Sequence, residues 1–233
     1  MACREETWRQ PLLAQSQNHR VTAIILVVLL VLSQSWSAAR AQNSVGVVTA
    51  IDGEAEVVRN GQTLKVTLAM TVESNDKLVT KREGRLTVTF GDNSRLVVGP
   101  STSIVINDGV SGASSSISRV GLLGGRLRSI VDLGLRSAGH GFEVRTPNAV
   151  MGVRGTEFEV AYIAGTPCPG FPDCLRYTDV GVYKGRVEVS NPLNPKAAPV
   201  LATAGYETTV PCEEAPATPS PLGMNELLSP AYR

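Results

Sequence analysis

The stretch "RLTVTFGDNSRLVV", Arg85 to Val98, decides the fold class. Leu86, Val88 and Phe90 alternate with polar residues, Gly91-Asp92-Asn93-Ser94 gathers turn formers, and a second apolar run follows at once. Period-two alternation is the mark of a half-buried strand, because successive side chains point to opposite faces. Two such runs around a short turn predict a hairpin.

The same signal extends in both directions. Leu64, Val66 and Leu68 alternate, as do Ile104 and Ile106, Phe142 and Val144, Phe158, Val160 and Tyr162, and Val187 and Val189. Asn60-Gly61 offers the left-handed conformations of a two-residue hairpin turn. The chain is therefore expected to be all-β, a single domain built from many short strands. The Ser/Gly-rich run from Asn107 to Arg119 predicts a mobile loop.

One segment is ambiguous. In "VGLLGGRLRSIVDLGLR", Leu123, Leu127, Ile130 and Val131 would share a helical face, whereas Leu127, Ser129, Val131, Leu133 and Leu135 would share a strand face. Gly121, Gly124, Gly125 and Gly134 each cost a helix up to about 1 kcal/mol relative to alanine, which favours the strand.

The N-terminus is read as a targeting signal. Val21 to Leu32 is an unbroken apolar run preceded by Arg4, Arg9 and Arg20, and Ala39-Arg40-Ala41 places small residues where a signal peptidase reads. Residues 1–41 are thus expected to be cleaved before Gln42, giving a periplasmic or secreted protein with no direct membrane insertion. The alternative is an uncleaved anchor in the inner membrane. Against it, a span needs about 20 apolar residues.

Removing that segment's four arginines and two glutamates from the chain's 22 basic and 21 acidic residues leaves 18 against 19, so neither nucleic acid nor an anionic membrane is an expected partner. Cys168, Cys174 and Cys212 remain. An oxidising compartment makes a disulfide the natural expectation, and no spacing suggests zinc. A Cys168–Cys174 bridge is predicted, since it closes a short loop within the Pro-rich insertion 168–174; pairing of either cysteine with Cys212 is the alternative. Prolines 216, 219 and 221 predict a disordered tail over residues 211–233.

Chemistry is hard to find. His140 lies between two glycines with no nucleophile pattern around it. Glu157 and Glu159 share a strand face, so a two-carboxylate hydrolytic site is geometrically conceivable, but acidic residues opposite Phe158 and Val160 are also what a solvent-facing strand face carries. No catalytic set, cofactor site or metal site is expected.

Three segments together carry a family likeness: "GDNSRLVVGPSTSIVI", then "FEVRTPNAVMGVRGTEFEV", then "DVGVYKGRVEVSNP". In this order they closely resemble the FecR family of bacterial periplasmic domains, over about residues 47–210, with 42–210 as the domain. The most specific element is Arg145, Thr146, Pro147, then Gly152, Arg154, Gly155, Thr156 and Phe158. The resemblance implies a twisted, solenoid-like stack of strands and, in members with a cytoplasmic segment, sigma-factor regulation. Only 20 residues precede the apolar run here, too few for a folded sigma-binding domain, so anti-sigma activity is not carried over.

Read physically, this motif is a strand, a corner and a strand. Gly152 and Gly155 permit the bend, and Arg154 is expected to bond corner carbonyls or pair with Glu157 or Glu159 rather than grip an anion. The expected function is a non-enzymatic protein-interaction or signal-sensing module binding an envelope protein, by strand addition at an exposed edge. The alternative is a small-ligand or glycan-binding module, which aromatic poverty disfavours.

Overall fold

The structure is a computed structural model that describes residues 44–108, 117–131 and 141–223. The expected signal peptide at residues 1–41, His140, Leu133 and Leu135 lie outside the described residues. Within them the chain is all-β: seventeen strands and no helix form one continuous sheet.

Strand pairing resolves this sheet into two ladders that share one strand. The first contains β1 (Ser44–Asp52), β4 (Thr71–Glu73), β6 (Arg85–Phe90), β7 (Arg95–Val98), β12 (Glu157–Ala164), β13 (Arg176–Lys184), β16 (Tyr206–Pro211) and β17 (Ser220–Pro221). Its spatial order is β4-β1-β6-β7-β9-β12-β13-β16-β17. The second contains β2 (Ala55–Arg59), β3 (Gln62–Lys65), β5 (Lys77–Thr80), β8 (Ser103–Asp108), β10 (Gly141–Arg145), β11 (Val150–Val153), β14 (Arg186–Ser190) and β15 (Val200–Thr203). Its order is β3-β2-β5-β8-β9-β10-β11-β14-β15.

The shared strand, β9 (Ile117–Ile130), is the segment that could also be read as a helix. Residues up to Gly124 pair with β8 and β10, while those from Gly125 onward pair with β12 and β7. The switch falls on Gly125, whose φ is 89°. A Cβ there would lie 2.3 Å from Thr102 Oγ1 and 2.7 Å from Thr102 Cα. Thr102 Oγ1 also accepts a 3.0 Å hydrogen bond from the Arg126 amide, so the crossing is pinned on both sides.

Alternating side chains turn inward from both ladders. Leu86, Val88, Leu96, Val98, Ile104, Ile106, Leu122, Leu127, Phe158 and Val160 are buried in one apolar core. Phe90 of β6 meets Phe142 of β10 edge to face, ring centroids 6.3 Å apart, joining the two ladders. Burying each such side chain contributes about 1.5–3 kcal/mol, and the alternation that predicted strands is the alternation that fills this core.

Several local expectations hold. Asn60 and Gly61 have φ of 51° and 76° and close the β2–β3 hairpin. The Gly91–Ser94 turn joins β6 to β7. Residues 165–175 leave the sheet between β12 and β13.

Others are corrected. Residues 107–108 and 117–119 of the expected Ser/Gly loop belong to β8 and β9, and 109–116 lie outside the described residues. β3 ends at Lys65, so only Val66 of the Leu64/Val66/Leu68 trio is buried, Leu64 and Leu68 being exposed. The solenoid-like winding that the resemblance implies is not established by these pairings, because β9–β10 is parallel and the remaining ladder pairings are antiparallel.

The tail is not disordered over its described part. Asn191 Nδ2 donates to the carbonyls of Cys212 (3.0 Å) and Glu214 (2.7 Å), the Ala217 amide donates to Thr209 O at 2.8 Å, and Ser220–Pro221 pairs with β16. Proline cannot donate to a ladder, but its neighbours can, and composition cannot reveal partners that lie far away in sequence.

The disulfide expectation is also corrected. Cys174 is bonded to Cys212, with Cα atoms 5.7 Å apart, and Cys168 is a free, buried thiol. The bridge ties the insertion to the tail, both of which lack core strands of their own. The Arg176 carbonyl, beside Cys174, accepts from the Cys212 amide at 3.1 Å, which brings the two cysteines together.

Two outcomes test this architecture. Gly125→Ala combines a forbidden φ with a clash against Thr102, and is expected to lower unfolding free energy by about 2–4 kcal/mol in denaturant titrations, strain and overpacking both contributing. Non-reducing peptide mapping should recover Cys174 joined to Cys212, with Cys168 alkylated only after unfolding, because burial first and Asp179 second push its thiol pKa up. Replacing Cys174 and Cys212 together by serine removes a cross-link between residues 38 apart and should cost about 3–4 kcal/mol on the chain-entropy account.

Candidate functional site

The motif segment Arg145 to Phe158 forms the β10–β11 hairpin, a corner, and the first residues of β12. In the hairpin turn the Thr146 amide donates to Ala149 O and the Ala149 amide donates to Thr146 Oγ1, both at 2.9 Å. Asn148 is fully buried. Its Nδ2 donates to Val210 O at 2.7 Å, and its Oδ1 accepts from Thr178 Oγ1 at 2.6 Å. Thr146 Oγ1 lies 2.8 Å from the same Thr178 hydroxyl. This turn of the second ladder is thereby bolted to β13 and β16 of the first. Pro147 stays exposed on its outer side.

At the corner the chain passes from β11 to β12, and so from one ladder to the other. Gly155 has a φ of 58°, as the expected bend requires. Buried Thr156 donates from Oγ1 to Arg186 O at 2.9 Å and accepts from the Val131 amide at 3.0 Å through its carbonyl. Gly152 plays no such part: it sits in β11, exposed, and a Cβ there would meet nothing within 4 Å.

Arg154 is also corrected. It is exposed, and no hydrogen bond or ion pair joins it to a described residue. The two glutamates expected as its partners are taken by β9 instead. Arg128 Nη2 lies 2.5 Å from Glu157 Oε1, and Arg126 Nε lies 3.3 Å from Glu159 Oε1. Arg145 pairs with Glu143 on the surface.

Glu159 is the residue whose environment departs furthest from expectation. It stands on the outer face of β12, where a solvated side chain was foreseen, yet it has no exposed surface. Long neighbours cover it: Arg126 and Arg128 from β9, and Tyr183 from β13, whose hydroxyl donates to Glu159 Oε2 at 3.0 Å. The Arg128 guanidinium stacks over the Tyr183 ring at 4.3 Å. Register places Arg128 directly opposite Glu159, but each arginine reaches diagonally, giving the alternating series Arg126, Glu159, Arg128, Glu157.

Burial pushes the Glu159 carboxyl pKa up, and Arg126, the Tyr183 hydroxyl and Arg128 pull it back only in part. Tyr183 is raised as well, by burial first and by Glu159 next. One oxygen, Glu159 Oε1, accepts no hydrogen bond despite its ionic contact with Arg126. Arg126, Arg128, Tyr183, Asn148 and Thr178 were not foreseen. The available signal was the Arg-Leu-Arg alternation around Leu127, which puts two cations on one strand face.

The family model described as FecR protein matches residues 76–188, from Asp76 just before β5 into β14. The chain carries a FecR domain. The match is narrower than the 47–210 resemblance and holds the β9 crossing, the whole Arg145–Phe158 motif and the Glu159 cluster.

Two crystal structures of a "putative anti-sigma factor" from Parabacteroides distasonis, at 1.65 and 2.50 Å resolution, are similar to this chain at 20% identity and a TM-score of 0.47. The similarity covers 62% of this chain and 59% of theirs, so the chain spans about three-fifths of the length of those structures. A structure described as a cell surface anchoring domain is 27% identical over 26% of this chain and 82% of its own, with a TM-score of 0.26. No curated protein matches.

The raised Glu159 pKa has a definite sign. Between the ordinary carboxylate value near 4.5 and the higher folded value, the folded state holds more protons than the unfolded one. The contribution to stability is therefore present below the ordinary value and lost as pH rises through the folded one. Urea titrations from about pH 4 to pH 8 should show wild type losing stability relative to Glu159→Gln as pH increases; parallel profiles would refute the assignment.

Proposed function

We propose that this chain is an exported, non-enzymatic signalling module of the bacterial cell envelope that binds an envelope protein by strand addition at β15. The observation that carries the reading is the state of the four terminal strands. β4 has three residues, and Arg59 donates to its Thr71 carbonyl at 2.8 Å while pairing with Glu73 and Asp76. β17 has two residues, one of them proline. β3 ends in Lys65 with every residue exposed. These are the devices by which sheet edges are kept from pairing.

β15 has none of them. Its sequence is Val-Leu-Ala-Thr, among the described residues it pairs with β14 alone, and Leu201 is half exposed. An uncharged strand with an edge open among the described residues and an outward Leu201 suits strand addition, with main-chain hydrogen bonds supplying affinity and side-chain pockets supplying selectivity.

Regulation rather than catalysis is the character of the FecR family. Here the two carboxylates that might serve hydrolysis are bound to Arg128 and Arg126, and Glu159 is closed to substrate. Phe90, Phe142 and Phe158 are spent in the core and Tyr183 in the ion cluster, which leaves little for a glycan platform. The Cys174–Cys212 bridge fits an oxidising compartment, and the N-terminal apolar run supplies a route of export.

A photoreactive side chain at Leu201, introduced in cells of the source organism, should cross-link one envelope protein, whereas the same group at Leu64 should not. The captured chain should begin at Gln42 by mass spectrometry. Leu201→Lys should abolish the cross-linked complex while changing stability by no more than about 0.5 kcal/mol. Retention of the complex in Leu201→Lys, or capture from Leu64 alone, would refute the β15 assignment.

A further inference from the structure

A cavity of about 280 Å³ opens on the outer face of the first ladder, lined by Asn93, Arg95, Ile130, Val131, Gly155, Thr156, Glu157 and Lys184. Its floor is one transverse row of the sheet. Arg95 is opposite Ile130, Ile130 is opposite Glu157, and Glu157 is opposite Lys184. Residues directly opposite each other across a ladder project from the same face, so β7, β9, β12 and β13 each contribute one side chain to the same recess.

The charges in this row do not balance. Glu157 is already paired with Arg128 of the next row, at 2.5 Å. Arg95 and Lys184 stand on either side of it, both exposed, and no hydrogen bond or ion pair joins either to a described residue. Arg128 and Lys184 flank the one carboxylate of the row, and Arg95 stands two strands away across Ile130. In the neighbouring row Arg126 is matched by Glu159, whereas the cavity row holds two cations beyond the Arg128–Glu157 pair.

The walls suit a small guest. Gly155 and Thr156 come from the Gly-Thr-Glu of the family motif, and Gly155 at positive φ presents backbone without a side chain. Ile130 and Val131 supply an apolar side, and Asn93 supplies an amide. A concave site with an apolar wall, few polar groups and convergent cations is the ordinary form of a small-anion site, and guanidinium with ammonium is the pairing that recognises carboxylate and phosphate oxygens.

We infer that this cavity binds a compact oxyanion, a small carboxylate or phosphate, held between Arg95 and Lys184. The motif segment would then have two uses: its buried Thr146, Asn148 and Thr156 fasten the ladders, while its Gly155-Thr156-Glu157 run forms the rim of the recess. This inference does not depend on the β15 edge, which belongs to the second ladder.

Isothermal titration of the full chain at low ionic strength tests it, with succinate and inorganic phosphate as probes and glycerol as a neutral control. Saturable one-site binding of either anion, and none of glycerol, is expected. Binding of succinate alone would assign a carboxylate, and of phosphate alone a phosphate group. Arg95→Gln and Lys184→Gln should each weaken binding about tenfold, one charge-assisted contact being lost, with melting temperature unchanged because both side chains are exposed. Lys196→Gln, at the far end of β14 from Lys184, should leave affinity unchanged. Failure of both anions to bind, wild-type affinity in either Arg95→Gln or Lys184→Gln, or equal weakening by Lys196→Gln would each overturn the site.

Discussion

The fold depends on a single strand lying in two ladders, and that depends on a residue without a side chain. At Gly125 the chain turns from pairing with β8 and β10 to pairing with β7 and β12. Thr102 sits against it so closely that even a methyl group would collide with both its hydroxyl and its Cα. Because strand registers on both sides are counted from this point, a shift of one residue at β9 would turn Leu122 and Leu127 away from the core. The adjacent Arg126 and Arg128 would leave the outer face with them.

Passage between ladders recurs, and each crossing is secured by local polar chemistry rather than by more apolar burial. At the β10–β11 turn, Thr146, Asn148 and Thr178 satisfy one another and the Val210 carbonyl within the interior. At the next corner Thr156 bonds the Arg186 carbonyl. A buried amide left without partners costs about 1–3 kcal/mol, so these groups tolerate only the arrangement in which both ladders are in place. The Arg145–Phe158 motif is in this sense a description of corners. Its arginine at 154 is the exception, since it faces solvent while the neighbouring carboxylates are held by β9.

The outer face of β9, β12 and β13 shows how a sheet surface can become an interior. Four charged side chains and a tyrosine lie flat over one another and seal Glu159 from water. Desolvation then opposes ionisation, and the flanking arginines only partly restore it. One row away the alternation of signs stops, and the cations of Arg95 and Lys184 are left facing the recess beside Glu157. The same strand therefore carries a buried, closed carboxylate and, two residues earlier, one at the edge of an open cavity.

Much of this was legible in the chain itself. Period-two alternation gave the strands, because a pleated backbone has no other way to sort Leu86, Val88 and Phe90 from their polar neighbours. The glycines of β9 argued against a helix, Asn60-Gly61 marked its hairpin, and the motif at Arg145–Phe158 pointed to the family. What sequence could not show were relations between residues far apart. Local loop closure favoured Cys168–Cys174, but the Cys212 partner is brought in by the tail's bonds to Asn191 and Arg176. Proline content suggested disorder where β16 offers a neighbour. Arg154 was close to Glu157 and Glu159 along the chain, yet Arg126 and Arg128 are closer across the ladder. Sequence determined which residues face inward, since that follows from local backbone geometry. Tertiary structure alone decided which charge meets which and which cysteines bond, since those depend on the register of strands that meet only when the two ladders close through β9.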